Sequence, residues 1–276
     1  MSNIKVNCNK IEISNDNKIC IIAGPCQLET EQHAMDMAGK IQDITKKFGV
    51  GFIYKTSFDK ANRTSLKGKR GAGLDTSLPI FDKIKKELNV PILTDIHNIE
   101  QCSIVAKHVD VLQIPAFLCR QTDLVVAAAK TNKIINIKKP QFSSAKEMFH
   151  AVKKCEAAGN GNVILCERGN IFGYNNLVVD TLNFQLLKQS GKPIFFDVTH
   201  ALQQPGLLEK STGGRGQYVF DLAKAGVSQN IAGLFLETHP DPDKAKCDGP
   251  CALKLSELDA FLEKIFALDK LVKGQL

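Results

Sequence analysis

Tryptophan is absent from this chain of 276 residues, and only three residues are tyrosine. Few aromatic rings are therefore available for stacking on nucleic-acid bases. The formal net charge is +7 at pH 7, but the basic residues are scattered and form no Lys/Arg tract. We interpret this excess as a mild attraction for small anions or as an ordinary basic surface, and we do not expect nucleic-acid binding.

Long hydrophobic runs are also lacking, so neither a signal segment nor a transmembrane helix is expected. The glycine-rich stretches at residues 68–73 and 213–216 match no phosphate-binding or dinucleotide-binding fingerprint. The nine cysteines are irregularly spaced and odd in number, which favours a reducing cytosol over a disulfide scaffold. We therefore expect a cytoplasmic protein that uses no organic cofactor.

Short apolar runs recur along the whole chain and end in residues that could do chemistry. Runs of this kind between turn signals are typical of strands buried on both faces. The predicted strands are 19–23, 50–53, 91–93, 109–112, 134–137, 163–165, 194–196 and 234–236.

Amphipathic segments separate these runs, which indicates parallel βαβ units. The predicted helices are 31–48, 78–88, 99–107, 121–130, 145–158, 177–190 and 217–225. A doubly wound sheet gives the same alternation, but eight strands with reactive residues at nearly every end favour a (β/α)8 TIM barrel. We expect one α/β domain over residues 1–276, with a short N-terminal β-hairpin (4–13) closing the barrel floor and a closing helix at 255–272.

Five cations follow three different predicted strands, so the fold would bring them to one mouth: Lys55, Lys60, Arg63, Lys138 and Arg168. With no compensating carboxylates expected nearby, they imply a ligand with several negative charges, either phosphate alone or phosphate with a carboxylate. Each cation taken singly is equally compatible with a solvated side chain or a surface ion pair.

Cys26, His200 and Glu237 also follow predicted strands, and Asp248 comes eleven residues after Glu237. A thiolate, an imidazole and two carboxylates suit Zn²⁺, Fe²⁺ or Mn²⁺. An inert buried cysteine and a hydrogen-bonded histidine would give the same pattern, so the residues alone leave both interpretations open.

Other uses of the cysteines are less well supported by the sequence. Cys247 and Cys251 lack a second Cys/His pair at a zinc-ribbon distance and are interpreted as loop cysteines. A hydrolase built on Cys26 and His200 would not need the converging cations.

Several long motifs resemble the 3-deoxy-D-manno-octulosonate 8-phosphate synthases. Residues 60–65 read Lys-Ala-Asn-Arg-Thr-Ser, and the stretches 54–59, 113–124, 136–142, 196–201 and 237–242 resemble the same family. The likeness covers nearly the whole chain. The sister family, which makes the seven-carbon precursor of aromatic amino acids from erythrose 4-phosphate, has Lys-Pro-Arg-Thr where this chain has residues 60–63.

The resemblance implies a transferase that condenses phosphoenolpyruvate with D-arabinose 5-phosphate and releases inorganic phosphate, in the synthesis of the Kdo sugar of lipopolysaccharide. By analogy, the phosphoenolpyruvate phosphate would contact Lys138, Arg168 and Gln113, and its carboxylate Lys55, Ser57 and Lys60. Arabinose 5-phosphate would contact Asn62, Arg63 and Thr64, and Arg120 would reach its phosphate from a neighbouring subunit of a homotetramer. The groups available to move protons or orient water are Asp95, His200, Glu237 and Asp248, and Lys60 is a further expected catalytic residue.

Cys26 distinguishes two branches of this family, since metal-dependent members have Cys at this position and metal-independent members have Asn. The resemblance therefore implies a divalent metal (Zn, Fe or Mn) bound by Cys26, His200, Glu237 and Asp248. The stretch 246–253, however, resembles the metal-independent branch, so a mosaic enzyme with a dispensable metal stays possible. A non-catalytic barrel that binds phosphosugars is the alternative of another class.

Overall fold

Eight parallel strands close into a barrel in the computed structural model, which describes residues 3–63, 65–207 and 213–274. The strands are β1 (Cys20–Gly24), β2 (Phe52–Lys55), β3 (Ile92–Asp95), β4 (Val111–Ile114), β5 (Ile134–Lys138), β6 (Val163–Glu167), β7 (Ile194–Asp197) and β8 (Gly233–His239). Each strand pairs in parallel with the next, and β8 pairs with β1. The predicted (β/α)8 barrel is confirmed, because an open doubly wound sheet would leave two unpaired edges.

All eight predicted strands are present, but each ends one to three residues later than predicted. The extra residues are mostly polar or charged, and they include Lys55, Asp95 and Asp197. Their backbones stay in the sheet while their side chains face the mouth. A search for apolar runs misses such residues because it detects the surroundings of side chains and not backbone pairing.

Nine helices lie in the described part of the chain: α1 (Glu31–Lys47), α2 (Leu74–Leu88), α3 (Ile99–Val105), α4 (Thr122–Ala129), α5 (Met148–Ala157), α6 (Leu182–Lys188), α7 (Val198–Ala201), α8 (Val219–Val227) and α9 (Leu258–Val272). The one-turn helix α7 was not predicted. The prediction of helix from residue 177 was wrong at its start, because Leu177–Val178 pairs with Asn170–Ile171 as a short antiparallel ladder. Two further short strands, Gln203–Gln204 and Gly213–Gly214, pair antiparallel, and Leu253–Lys254 extends along β8.

The chain folds α1 for reasons that are visible in its sequence. Thr30 accepts a hydrogen bond from the backbone N–H of His33 at 3.1 Å, which caps the helix. Glu31 lies in the first turn, while Lys46 and Lys47 lie in the last, and both placements complement the helix dipole. The buried face of α1 includes Ala34, Met37, Ala38 and Ile41.

The N-terminal hairpin (Val6–Cys8 with Ile11–Ile13) packs against the barrel interior. Its Val6, Cys8 and Ile13 are buried in one cluster with residues that begin strands, among them Cys20 and Val111. The hairpin therefore covers the amino ends of the strands, as predicted. The carboxyl ends face the other way and form the mouth.

Within the described residues, no helix combines the length and the apolar character needed to cross a membrane.

Candidate active site

A cavity of about 810 Å³ opens at the carboxyl ends of the strands. This volume lies in the range that is usual for small-molecule sites. Ten of the predicted site residues line it: Lys55, Lys60, Asn62, Arg63, Asp95, Gln113, Lys138, Arg168, His200 and Asp248. The structure therefore brings residues from seven of the eight βα units together, as the barrel prediction required.

Three of the five cations of the mouth, Lys55, Lys60 and Lys138, are paired with carboxylates, which corrects the prediction that none would lie nearby. The Nζ atom of Lys55 lies 3.1 Å from Oε1 of Glu237, and Nζ of Lys60 lies 3.7 Å from the same oxygen. Burial lowers the pKa of Lys55, and the neighbouring Lys60 charge acts in the same direction. For Lys60, burial opposes the charged form, but Glu237 and Asp95 outweigh it and raise the pKa. These pairs could not be predicted from the sequence, because each carboxylate comes from a strand that is distant in the chain from its lysine.

Asp95 is at the centre of a buried hydrogen-bond network. It accepts hydrogen bonds from Ser57 Oγ and Gln113 Nε2, and Gln113 in turn accepts one from Asn136 at 2.8 Å. Burial alone would raise the pKa of Asp95, but Lys55 and Lys60 hold it far below its usual value. Asp95 is therefore an ionised group that fixes the orientation of Gln113. Ser57 is fully buried behind this carboxylate, and its hydroxyl is already engaged.

Lys138, Asp197 and His200 form a chain of contacts across the floor of the cavity. Lys138 Nζ donates to Asp197 Oδ2 and lies 3.5 Å from the centroid of the Phe235 ring. Asp197 also contacts Nδ1 of His200 at 2.9 Å and accepts a hydrogen bond from the His200 backbone N–H. Burial opposes ionisation of Asp197, yet His200 and Lys138 hold its pKa far below the usual range. This carboxylate therefore fixes the ring so that Nε2 faces the mouth.

Arg168 is almost completely buried at the edge of the cavity. Its Nη2 donates to the carbonyl of His200 at 3.2 Å and to Oε1 of Gln203 at 2.7 Å. Its Nη1 is buried and has no hydrogen-bond partner. An unpaired guanidinium nitrogen on a residue that lines a cavity is a ready donor to an anion.

The four predicted metal ligands converge from different elements. Nε2 of His200 lies 3.5 Å from Oε1 of Glu237 and 3.8 Å from Oδ2 of Asp248, which is 3.0 Å from the Cys26 sulfur. Oε2 of Glu237 is buried without a partner. Ligand atoms of His200, Glu237 and Asp248 lie within 4.8 Å of one another, and these donor types, joined by the Cys26 sulfur when it is reduced, fit a divalent transition metal.

Cys26 is joined to Cys247 by a disulfide whose Cα atoms lie 6.1 Å apart. The other seven cysteines are free and buried. The prediction of cysteines without disulfides therefore needs correction at this one pair, although the chain is no disulfide scaffold. Cys247 was interpreted as an ordinary loop cysteine, because no sequence pattern places it beside a residue that precedes it by 221 positions.

The four predicted phosphosugar contacts have different outcomes. Asn62 and Arg63 line the cavity, and Arg63 Nη2 donates to the Lys246 carbonyl at 3.4 Å. Thr64 lies outside the described residues. Arg120 is not among the residues that line the cavity of its own chain; its side chain is 55% exposed and lies 3.8 Å from Glu147.

Asp197, Gln203 and Cys247 belong to the site but were not named as site residues. Asp197 directly follows a predicted strand, so the rule that found Lys55 could have found it. Gln203 follows the unpredicted helix α7 and donates to Asp248 Oδ1 at 2.7 Å. Nothing in the sequence pattern distinguishes Gln203 or Cys247 from other loop residues.

Comparisons with known proteins agree with this geometry. The sequence profile of the DAHP synthetase I family matches residues 3–274. Proteins named 2-dehydro-3-deoxyphosphooctonate aldolase are 54% identical in Pseudomonas syringae pv. syringae (98% of this chain, 96% of the relative) and 55% identical in Stutzerimonas stutzeri (99% and 98%). One from Chelativorans sp. is 52% identical over 99% of both chains. The chain belongs to the DAHP synthetase I family, in the group of the 2-dehydro-3-deoxyphosphooctonate aldolases.

Proposed function

We propose that this enzyme condenses phosphoenolpyruvate with D-arabinose 5-phosphate and water to give 3-deoxy-D-manno-octulosonate 8-phosphate and inorganic phosphate. The relatives, at about half identity over nearly the whole chain, carry the alternative name of this activity. The observation that carries the proposal is the convergence of Lys55, Lys60, Lys138 and Arg168 in one cavity. The product would serve the synthesis of the Kdo sugar of lipopolysaccharide.

The phosphoenolpyruvate phosphate would bind between Lys138 and Arg168. The unpaired Nη1 of Arg168 supplies a donor that has no protein partner. The carboxylate would bind at Lys55 and Lys60, whose ammonium groups now share Glu237. Gln113, held by Asp95, closes this side of the site.

Arabinose 5-phosphate would lie across the loop after β2. Asn62 would contact the sugar, and Arg63 would bind its phosphate at the outer end of the cavity. Arginine suits this role because its planar fork pairs with two phosphate oxygens. With its phosphate at the outer end, arabinose 5-phosphate would place its aldehyde deep in the cavity, next to phosphoenolpyruvate.

A divalent metal would be held by Cys26 as a thiolate, His200, Glu237 and Asp248. It would supply a Lewis acid that polarises the aldehyde or a water molecule. Its charge would also compensate Glu237 and Asp248, which otherwise neutralise the cations. Lys55, Lys60 and Arg168 would then keep a net attraction for two phosphorylated substrates.

The reaction forms a bond between the enol carbon of phosphoenolpyruvate and the aldehyde carbon, while the aldehyde oxygen takes up a proton. The carbon that bears the phosphate ester then takes a water oxygen, and one proton of this water returns to the group that protonated the aldehyde oxygen. Carbon–oxygen cleavage then expels the phosphate, which takes the second proton, and leaves a ketone. Lys60 would deliver the proton, since the carboxylates around it keep its ammonium form. His200 and Asp248 would orient the water, and Asp95 would stay ionised and hold the floor in place. Positioning two anions together is where such a site contributes most.

The substrate proposal is tested by phosphate release from phosphoenolpyruvate with each of two aldoses. We expect turnover with arabinose 5-phosphate and little with erythrose 4-phosphate. Preference for erythrose 4-phosphate would favour the sister activity, and no turnover with either aldose would favour a non-catalytic phosphosugar-binding barrel.

The metal proposal is tested separately by chelation of the reduced enzyme. We expect chelation to abolish activity and Zn²⁺, Fe²⁺ or Mn²⁺ to restore it. Full activity after exhaustive chelation would contradict the metal proposal and leave the substrate proposal intact. The Cys26→Asn variant should lose metal affinity, and a mosaic enzyme would keep its activity after this change.

We also propose a cytoplasmic homotetramer in which Arg120 reaches the sugar phosphate of a neighbouring subunit. The exposed side chains of Phe117 (55%) and Phe142 (63%) are available for contacts between subunits. The half-exposed Arg120 is free to act outside its own chain. Sedimentation velocity, together with an Arg120→Ala variant that raises the KM for arabinose 5-phosphate, would support this assembly; a monomer would contradict it.

A further inference from the structure

Glu29, His33 and His239 form a second cluster of potential ligands beside the barrel mouth. One ligand atom from each residue lies within 4.8 Å of the others. None of the three lines the large cavity, so the cluster is separate from the substrate site. His239 is the last residue of β8, His33 lies in the first turn of α1, and Glu29 precedes that helix.

The ring of His239 is buried, with only 7% of the residue exposed, and one of its nitrogens is in use. Nδ1 lies 2.7 Å from the carbonyl oxygen of Asp241 and 3.1 Å from its backbone N–H. The shorter contact favours the tautomer in which Nδ1–H donates to the carbonyl. Nε2 then carries a lone pair and points toward Glu29.

This arrangement leaves the lone pair of Nε2 opposite a carboxylate. Nε2 of His239 lies 3.4 Å from Oε1 of Glu29, yet the two atoms do not form a hydrogen bond, and Nε2 has no other partner. A separation of about 3.4 Å is what two ligand atoms have in a tetrahedral zinc site with bonds of about 2.1 Å. Oε1 of Glu29 accepts one long hydrogen bond, from the Lys246 backbone N–H at 3.4 Å, and keeps a further lone pair. A cation between the two atoms would use this lone pair and satisfy Nε2.

The ring of His33 likewise lacks hydrogen-bond partners. Both of its ring nitrogens are inaccessible and lack hydrogen-bond partners. Its ring centroid lies 5.1 Å from that of His239, with the planes inclined by 45°.

We propose that Glu29, His33 and His239 bind a divalent transition metal, with Zn²⁺ as the best match, at a site distinct from the mouth. Two imidazoles and one carboxylate are a common ligand set for zinc and leave one position for water. The contact of His239 Nδ1 with a carbonyl is the outer-shell bond that metal-binding histidines usually make. The metal would tie the start of α1 to the end of β8 and fix the spacing between Cys26 and Glu237.

Zinc titration by calorimetry tests the site in a Cys26→Ala/Cys247→Ala background, which removes the thiols of the mouth. Adding His33→Ala to this background should abolish one equivalent of Zn²⁺ binding. Adding His150→Ala instead, which removes an exposed histidine on α5, should leave binding unchanged. Equal zinc binding with and without His33 would overturn the proposal.

A second measurement does not depend on how the variants fold. Crystals of the wild-type protein soaked with Zn²⁺ should give an anomalous peak at the zinc edge about 2.0–2.1 Å from nitrogens of His33 and His239. Ordered water at this position, with no anomalous signal at millimolar Zn²⁺, would overturn the proposal. Neither readout uses the aldose reaction, so failure here is distinguishable from failure of the proposed function.

Discussion

The disulfide between Cys26 and Cys247 lies directly beside Asp248, whose Oδ2 atom is 3.0 Å from the sulfur of Cys26. A sulfur atom in a disulfide is no thiolate and cannot serve as the metal ligand expected here. The redox state of this pair therefore decides whether the mouth offers the full predicted ligand set. Cys247 would therefore compete with the proposed metal for Cys26.

Oxidation should accordingly lower metal affinity at the mouth. Treating the wild-type protein with diamide, which takes up the two electrons and two protons released by the thiols, should reduce the metal retained per chain. Cys247→Ser should retain metal equally before and after treatment. Cys102→Ser, which removes a buried cysteine on α3, should behave as wild type. Elemental analysis after gel filtration gives the metal content, and equal retention by oxidised and reduced wild type would contradict the prediction.

Asp197→Asn should destabilise the barrel strongly, because it leaves the buried Lys138 ammonium without its carboxylate. Breaking a buried ion pair by removing one partner costs about 3–5 kcal/mol. The free energy of unfolding in urea measures this loss. Asp221→Asn, which breaks an exposed pair with Lys224, is the matched control and should change little. A loss at Asp197 no larger than that of the control would speak against the ion pair.

The acid stability of the protein should follow Asp95 and Asp197. Both carboxyl groups have pKa values held below their usual range in the folded chain. Groups of this kind contribute stability above the pKa of the unfolded chain, about 3.9, and lose it as the pH falls toward the folded value. Unfolding free energy should therefore show no loss from these groups between pH 7 and 5 and should fall below about pH 4.

The Asp95→Asn variant isolates one contribution to this acid dependence. Its stability should fall less steeply than that of the wild type below about pH 4, because one low-pKa carboxylate is gone. Asp43→Asn, at an exposed position on α1, should keep the wild-type slope. Identical slopes for Asp95→Asn and the wild type would argue that Asp95 is not held ionised.

Arg63→Ala should raise the KM for arabinose 5-phosphate by roughly 10- to 100-fold, the loss expected for about 1.5–3 kcal/mol of hydrogen bonding to a charged group. The KM for phosphoenolpyruvate should change little, because its contacts lie deeper. Lys67→Ala, on the exposed part of the same loop, serves as control. Equal changes in both KM values would place Arg63 outside the sugar site.

Gly24→Ala should damage the mouth through sterics alone. A Cβ atom at Gly24 would lie 2.0 Å from the carbonyl oxygen of Lys55, and backbone atoms cannot yield cheaply there. Gly39→Ala, in the interior of α1, would meet no atom within 4 Å and should be neutral or stabilising by up to about 1 kcal/mol. Thermal unfolding and phosphoenolpyruvate affinity are measured for both variants. If Gly24→Ala kept the wild-type unfolding temperature and affinity, the backbone of β2 would not lie as close to Gly24 as the structure shows.

The barrel could be predicted from sequence because each strand leaves a local signal. Ile21 and Leu234 belong to short apolar runs, and the amphipathic α1 carries its own cap at Thr30. Eight such repeats predict the barrel architecture, and motifs such as residues 60–65 indicate the family. Strand ends were less accurate, because Lys55 and Asp95 continue the sheet with polar side chains.

The contacts within the site could not be predicted in the same way, since they join residues that are far apart in the chain. Lys138 and Asp197 are 59 positions apart, and Lys55 and Glu237 are 182 apart. No local periodicity records such pairs. The sequence therefore indicated which side chains reach the mouth, but only the folded structure shows that carboxylates pair with lysines there.

Competition between the two aldoses is the most direct test of the central claim. The reduced, metal-loaded enzyme is given phosphoenolpyruvate and equal concentrations of arabinose 5-phosphate and erythrose 4-phosphate, and the products are counted by mass spectrometry. The product ratio then equals the ratio of the two kcat/KM values. We predict the eight-carbon sugar acid phosphate as the dominant product, and a predominance of the seven-carbon product would contradict the account.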